Sequence, residues 1–270
     1  MNARELLREG DLRQSLDLLK AEVRRAPRDP KLRIFLFQMF CVTGEWDRAL
    51  TQLKLLNDID KPSEPMVQTY TSAIRCEVLR EKVFRGARSP TVFGDPGDWV
   101  PLLIEATRLL ASGQPGEAAK LRDAAFEAAP SALGSLNGAD FEWVADADPR
   151  LGPVIEAVVE GKYMWIPFHR IKQLNVEEPA DLRDQVWMPA RFTWSNDGEA
   201  VALIPTRYPG SAASADPAIQ LARKTDWLEQ DADWSLPIGQ RVFITDTDET
   251  ALMDVRKLSV VHAPAEAGAA

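Results

Sequence analysis

The sequence is poor in the residues that build most recognisable active sites. Its 270 residues contain two histidines, His169 and His262, and two cysteines, Cys41 and Cys76. There is no Cys-x-x-Cys pair and no pair of histidines at helical spacing, so neither common type of zinc site is expected. Glycine-rich phosphate loops and the Gly-x-Ser-x-Gly turn are also missing. We therefore expect no catalytic constellation, metal or cofactor.

Long apolar runs and an overall basic charge are absent as well. No apolar stretch approaches the roughly 20 residues that span a bilayer, and the first residues do not resemble a signal peptide. We therefore expect a cytoplasmic protein without membrane insertion, in which both cysteines are buried thiols rather than a disulfide. The net charge of −9 is opposite in sign to the charge that nucleic-acid binding requires.

The charge is unevenly distributed along the chain. Residues 1–89 carry 17 Lys and Arg against 13 Asp and Glu, so this part is mildly basic although the whole chain is acidic. A solvated surface explains the imbalance, and so does a helical end that receives an acidic segment of a partner. Composition leaves both explanations open.

A repeat of about 34 residues organises the first half of the chain. Gly10, Gly44 and Gly113 each separate two helical patterns, and a small residue follows five positions later at Ser15, Ala49 and Ala118. Glycine can end a helix in a left-handed conformation, and the small residue allows two helices to approach. The pattern predicts a tetratricopeptide-like helical repeat domain over residues 1–130.

The helix predicted over residues 31–42 is apolar on two sides, which indicates that it is sandwiched. Phe37 and Cys41 lie opposite its main apolar stripe, and Arg33 is a charge that could steer a partner. Stacked helix pairs form grooves that accept peptides, so these three residues are our candidate partner-binding site. The alternative is that so short an array only packs on itself.

Residues 131–161 are predicted to form an acidic joint followed by a connecting helix. The helix is predicted from apolar residues before Gly161, namely Leu151, Val154, Ile155, Val158 and Val159. Asp146 and Asp148 resemble the start of a calcium loop, but the Gly and the closing Glu of such a loop are missing. A solvated loop or a helix cap is the better explanation of these two acids.

From residue 162 onward the apolar pattern changes to a period of two, which predicts a β-rich, mainly antiparallel domain over residues 162–261. Residues 186–194 and 200–204 are predicted strands, and Asn196-Asp197-Gly198 supplies a hairpin turn. Trp165, Trp187 and Trp194 are expected to be buried in an aromatic core. Residues 262–270 are expected to form a disordered tail. The predicted fold class is α+β with two domains.

An enzymatic alternative would place a site in the β-rich domain. His169 follows a predicted strand, and Arg191 and Arg207 lie on or next to others. A pocket that gathered these three side chains would support an enzyme. Otherwise His169 is a structural histidine and the arginines form ion pairs with nearby aspartates.

Seven sequence blocks in order resemble the ImpE/SciE family, also called TagJ. The blocks are residues 145–153, 165–168, 181–184, 187–190, 203–211, 221–225 and 239–241. The resemblance implies a non-enzymatic cytoplasmic accessory protein of bacterial type VI secretion. It further implies two partners: the small sheath subunit, bound through its N-terminal helix, and the sheath-disassembling AAA+ ATPase ClpV, contacted directly or indirectly. The resemblance assigns no binding residue in this chain.

Overall fold

The computed structural model describes residues 2–231 and 234–262 and shows the predicted α+β organisation, with helices first and a mainly antiparallel sheet after them. The last long helix ends at Ala128 and the first strand of the second half begins at Gly134. Of the predicted disordered tail, only His262 belongs to the described residues, and 263–270 lie outside them. None of the helices in the described ranges combines the length and apolar character that a membrane crossing needs.

The helical half consists of antiparallel helix pairs followed by one long helix and another pair. Its helices are α1 (Ala3–Arg8), α2 (Leu12–Arg25), α3 (Pro30–Val42), α4 (Trp46–Ile59), α5 (Glu64–Phe84), α6 (Trp99–Ala111) and α7 (Pro115–Ala128). Gly10, Gly44 and Gly113 lie in the turns of the three pairs with φ values of 89°, 70° and 77°. The predicted repeat and the role of its glycines are confirmed.

Local sequence explains where these helices begin. The carboxylate of Asp11 accepts a hydrogen bond from the Gln14 amide at the start of α2, and Asp29 caps α3 in the same way. Pro30 follows Asp29 at the first helical position, where its missing N–H costs nothing. Asp98 precedes α6, but its side chain makes no capping hydrogen bond.

The second half is built on a nine-stranded sheet. Its strands are β1 (Thr91–Val92), β2 (Gly134–Leu136), β3 (Ala139–Phe141), β5 (Val154–Val159), β6 (Lys162–Pro167), β7 (Ile171–Val176), β8 (Trp187–Trp194), β9 (Glu199–Pro205) and β14 (Lys257–Val260). Across the sheet they follow the order β1-β6-β5-β9-β8-β7-β14-β2-β3. Only β1, which comes from the loop between α5 and α6, pairs in parallel. This strand was not predicted from the sequence.

Two smaller sheets and one short helix complete the fold. β4 (Val144–Asp146), β12 (Val242–Thr245) and β13 (Glu249–Ala251) form one sheet, and β10 (Thr225–Asp231) and β11 (Trp234–Gly239) form the other. The short helix α8 (Pro217–Gln220) leads toward β10.

The connecting helix predicted before Gly161 is wrong. Residues 154–159 form β5, which turns back into β6 through Glu160 and Gly161 with φ values of 50° and 74°. Two successive positive φ values make the tight turn that matches strand twist. All six residues of β5 are buried, and a short apolar run buried on both faces has no periodicity that distinguishes strand from helix.

The predicted hairpin of residues 186–204 is confirmed. β8 and β9 pair antiparallel, and Asp197 in the turn between them has a φ of 64°. Trp165, Trp187 and Trp194 are buried as expected. Trp165 and Trp187, however, pack with helical residues rather than within a core of the β-rich half alone.

One hydrophobic core joins the helical half to one face of the sheet. It contains the apolar residues of α1 to α6 together with Val154, Trp165, Trp187 and Leu203. A second core lies on the opposite face of the sheet and is closed by Phe243 and Leu252. The helical half is therefore packed onto the sheet.

Candidate functional site

Two of the three predicted partner-binding residues are not accessible. Phe37 and Cys41 are 0% exposed and lie in the shared core, and burial raises the pKa of the Cys41 thiol well above its usual range. Arg33 is half-buried and donates hydrogen bonds to the carbonyl of Pro27 and to Gln52. α3 is packed on both of its apolar sides. The side that carries Phe37 and Cys41 therefore does not line an exposed groove.

The three residues of the enzymatic alternative have different surroundings. His169 packs against Trp99, and its pKa is lowered to about 4 by burial and by Arg170 and His262. Arg191 is exposed and faces Glu199. Arg207 is buried and bonded to backbone carbonyls. The structure does not gather them into one pocket.

Carboxylates in the described residues do not form a metal site. No cluster of His, Cys, Asp and Glu within residues 2–231 and 234–262 is arranged to hold a metal ion. Asp146 is paired with Arg241 and Asp148 with Arg150, all four of them buried. The two acids that resembled the start of a calcium loop are therefore ion-pair partners rather than a solvated loop.

The most polar part of the interior is a buried ionic network between α5 and the sheet. Arg80 on α5 donates to both carboxylate oxygens of Glu156 on β5 at 2.8 Å, and also bonds Glu77 and the Arg207 carbonyl. Arg241 reaches Glu156 from the other side and binds Asp146 as well. These contacts connect α5, β5 and the residue just before β12.

The two buried carboxylates respond to this network in opposite directions. Burial by itself would raise the pKa of Glu156, but Arg80 and Arg241 outweigh it and lower the value to about 2. For Asp146 burial is the larger effect, and its pKa is raised to about 6 despite Arg241. Every charge of this network has a partner within it, so we assign it to holding the two halves together rather than to chemistry.

Two arginines from the sheet side cap helices of the repeat in the same way. Arg207 donates to the carbonyls of Cys41 and Val42 at the end of α3. Arg223 donates to the carbonyls of Leu7 and Arg8 at the end of α1. The last carbonyls of a helix lack partners within it and carry partial negative charge, so each guanidinium satisfies and stabilises a helix end.

The two caps follow the 34-residue repeat. In each case the bonded carbonyls lie three and two residues before the glycine of the turn, Gly44 or Gly10. A Cβ at Gly44 would lie 2.9 Å from the Ala212 Cβ. The helix pairs therefore contact the segment around Arg207, Ala212 and Arg223 through their equivalent turns.

A surface cleft of about 550 Å³ lies where the helical half meets this segment. We call it the interdomain cleft, and it is bordered by Arg4, Leu7 and Arg8 of α1, Ile34, Phe35 and Gln38 of α3, and on the other side by residues 179–182, Gln185, Arg223 and Met253. Gln38 donates a hydrogen bond to Asp181 at 2.7 Å across its base. Both halves of the chain are needed to form it.

The residues of the interdomain cleft were not predicted from the sequence. Arg4 and Arg8 are one helical turn apart on α1, with Leu7 between them, and this short pattern was the one available signal. The opposite wall begins at residue 179, more than 140 positions after Gln38. No pattern in a single sequence shows that such distant segments meet.

Comparisons with known proteins agree with this architecture and with the earlier resemblance. Residues 138–259 match the family model described as ImpE protein. The chain is 49% identical over 259 residues to the type VI secretion system accessory component TagJ of Pseudomonas aeruginosa, covering 96% of this chain and 90% of that protein. It also superimposes on the crystal structure of protein VPA1032 from Vibrio parahaemolyticus with a TM-score of 0.88, at 25% identity and over 97% of this chain and 98% of that one.

Proposed function

Since this chain belongs to the ImpE family, as its similarity to TagJ and to the family model shows, we propose that it is a non-enzymatic cytoplasmic adaptor of type VI secretion. In this role it binds the small sheath subunit through that subunit's N-terminal helix and brings the ClpV ATPase to it. The accessory role follows from the 49% identity to TagJ over nearly the whole chain. The two partners are the finer part of the proposal.

The observation that best supports an adaptor is the interdomain cleft. Its volume of about 550 Å³ is large enough for several side chains of a partner, and its walls come from both halves of the chain. The candidate catalytic residues His169, Arg191 and Arg207, in contrast, are dispersed among structural contacts. A binding function fits this arrangement better than a reaction.

The position of the cleft determines which part of the chain a binding experiment must contain. We expected the groove within residues 1–130, but residues 179–182, Gln185 and Arg223 form one of its walls. A fragment of the helical half alone would lack that wall. The full chain is therefore the proper reagent.

A pull-down with the full chain tests the proposal. The immobilised protein is incubated with intact small sheath subunit, with ClpV, or with both, at physiological salt. We expect retention of the sheath subunit by itself and stronger retention of ClpV when the subunit is present. Retention of neither partner would refute the adaptor proposal, and retention of ClpV alone would refute the assigned order of contacts.

A further inference from the structure

We propose that the interdomain cleft binds an acidic, amphipathic helix, with apolar side chains on the cleft floor and carboxylates at Arg4 and Arg8. This inference deepens the proposed function, on which it rests for the identity of the probe. It specifies the place on this chain and the chemistry that the bound segment must have. Neither follows from the family similarity.

Part of the cleft lining is apolar. Leu7 and Phe35 are almost fully buried beneath it, whereas Ile34, Leu182 and Met253 remain partly accessible. A segment that covers these three partly accessible side chains removes more apolar area from water, which is the main source of affinity in such contacts. A small hydrophilic anion would leave this surface exposed.

The rim of the cleft carries three arginines that form no salt bridge within the described part of the chain. Arg4 stacks on the ring of Phe35 at 4.7 Å, Arg8 is exposed at the end of α1, and Arg223 is held by helix carbonyls. No carboxylate of residues 2–231 or 234–262 forms a salt bridge with any of the three.

The acidic residue of the cleft is already occupied. Asp181 accepts a hydrogen bond from Gln38 and lies 3.4 Å from Arg183. It is therefore not available to neutralise the rim. Charge complementarity consequently selects a partner segment with carboxylates.

The spacing of the arginines favours a helix. Arg4 and Arg8 are separated by one turn of α1, so their Cβ atoms lie about 5–6 Å apart on one face. Two carboxylates one turn apart on a partner helix have the same spacing and can meet both guanidinium groups at once. A single small anion would not need this arrangement.

A second depression of about 550 Å³ lies between α4 and α5 but differs from the interdomain cleft in its charge. Its lining combines Lys54, Glu64 and Arg75 with uncharged side chains that include Leu50 and Val67. Because its charged residues are of both signs on the two facing helices, this depression does not select an acidic segment as the three arginines of the interdomain cleft do. The interdomain cleft is the better-supported docking surface.

The test uses the full chain and a synthetic peptide of the N-terminal helix of the small sheath subunit, with binding measured by titration calorimetry at two salt concentrations. The double variant Arg4→Gln/Arg8→Gln removes the two rim charges and keeps side chains that favour a helix. Its matched control is Arg13→Gln/Arg28→Gln, two exposed arginines outside the cleft with the same change in net charge. Ala180→Trp fills the cleft from an exposed wall position without altering charge, and Ala180→Ser is its control.

We expect Arg4→Gln/Arg8→Gln to weaken binding about tenfold and to reduce its salt dependence, because two rim ion pairs are lost. Ala180→Trp should also weaken binding at least about tenfold by steric exclusion. Both control variants should bind within about twofold of the wild type.

Wild-type binding that neither cleft variant changes would refute the cleft but leave the adaptor proposal intact. If phosphate displaces the peptide more strongly than chloride at equal ionic strength, the arginines hold a small anion and the helix assignment is refuted. Failure of the wild type to bind the peptide, when the intact subunit is retained in the pull-down, would refute only this inference. Failure in both experiments would refute the proposed function as well.

Discussion

Glu156 is a fully buried carboxylate that accepts hydrogen bonds from Arg80, Arg241 and Tyr163. Removing its charge leaves two guanidinium groups without their shared partner in the interior. We expect Glu156→Gln to lower the free energy of unfolding at pH 7 by about 3–5 kcal/mol, as for other broken buried pairs. Urea unfolding measures this value, and a loss below about 1 kcal/mol would contradict the role assigned to the network.

Glu156 should also make the free energy of unfolding depend on pH in the acid range. Its pKa is lowered from 4.5 to about 2 in the folded protein, so its stabilising contribution is present above pH 4.5 and is lost as pH falls toward 2. The difference in unfolding free energy between wild type and Glu156→Gln should therefore be smaller at pH 3 than at pH 7. A constant difference across this range would show that the Glu156 charge is not what stabilises the fold.

Replacing Gln185 should raise the free energy of unfolding, in contrast to the replacement of Glu156. The side-chain oxygen of Gln185 is buried and lacks a hydrogen-bond partner among the described residues. Replacing it with Met, which has a similar shape, removes an unsatisfied acceptor and should raise the free energy of unfolding by about 1 kcal/mol.

Gln38→Met is the control for Gln185→Met, because its amide does bond, to Asp181, and the variant should lose stability. A clear loss in Gln185→Met as well would mean that the oxygen has a partner such as an ordered water. At the residue scale, the burial of Trp165, Trp187 and Trp194 was predicted correctly because these residues alternate within strand patterns, although Trp143 and Trp227 are exposed. It cannot predict which charges pair, since Glu77, Arg80, Glu156 and Arg241 are brought together only by the fold.

At the scale of elements, the glycine turns of the repeat do more than reverse the chain. Gly44 has a φ of 70°, and a Cβ there would lie 2.9 Å from the Ala212 Cβ. Gly113 has a similar φ of 77°, but no atom outside its chain neighbours lies within 4 Å of an added Cβ. A side chain at either position would strain the backbone, but only one at Gly44 would also collide with the β-rich half. Comparing the two positions therefore distinguishes the two effects.

We expect Gly113→Ala to cost about 1–2 kcal/mol of unfolding free energy, because a Cβ is disfavoured at positive φ. Gly44→Ala should cost at least about 1 kcal/mol more, because α3 and α4 must also move away from Ala212. Thermal or urea unfolding of both variants gives the comparison. Equal losses would show that the Gly44 turn does not need its close contact with the β-rich half.

The elements themselves were predicted to different extents. The helix pairs follow from glycine and proline positions and from helical periodicity, which are local properties, and so does the β8–β9 hairpin with its Asn-Asp-Gly turn. β5 was mistaken for a helix because its apolar run is buried on both faces. β1 is two residues long and is formed through its pairing with β6, a long-range contact.

For the whole molecule, the main result is that the helical half and the sheet share a core. Trp187 on β8 packs against Tyr70 and Trp46 with ring centroids 5.7 and 6.2 Å away, and its indole N–H donates to Glu77. These contacts all cross from the sheet to the helices. The sequence suggested two separable domains, because the composition and period change between them, but periodicity does not reveal how two halves pack.

We therefore expect Trp187→Ala to destabilise both halves together. The loss should be about 3–5 kcal/mol, as for other large-to-small core changes. Helical circular dichroism and tryptophan fluorescence should report one coincident transition in the wild type and a shifted but still coincident one in the variant. Separate transitions, with the helical signal unchanged by the substitution, would contradict a shared core.

The central claim is that the interdomain cleft of the intact chain is where the small sheath subunit docks. Hydrogen–deuterium exchange of the full chain with and without that subunit tests it most directly, because it maps the contact without altering any residue. The account predicts slower exchange in α1, in the N-terminal part of α3 and in residues 180–186 when the subunit is bound. Slower exchange confined to other surfaces, such as α4 with α5 or the β10–β11 hairpin, would contradict it.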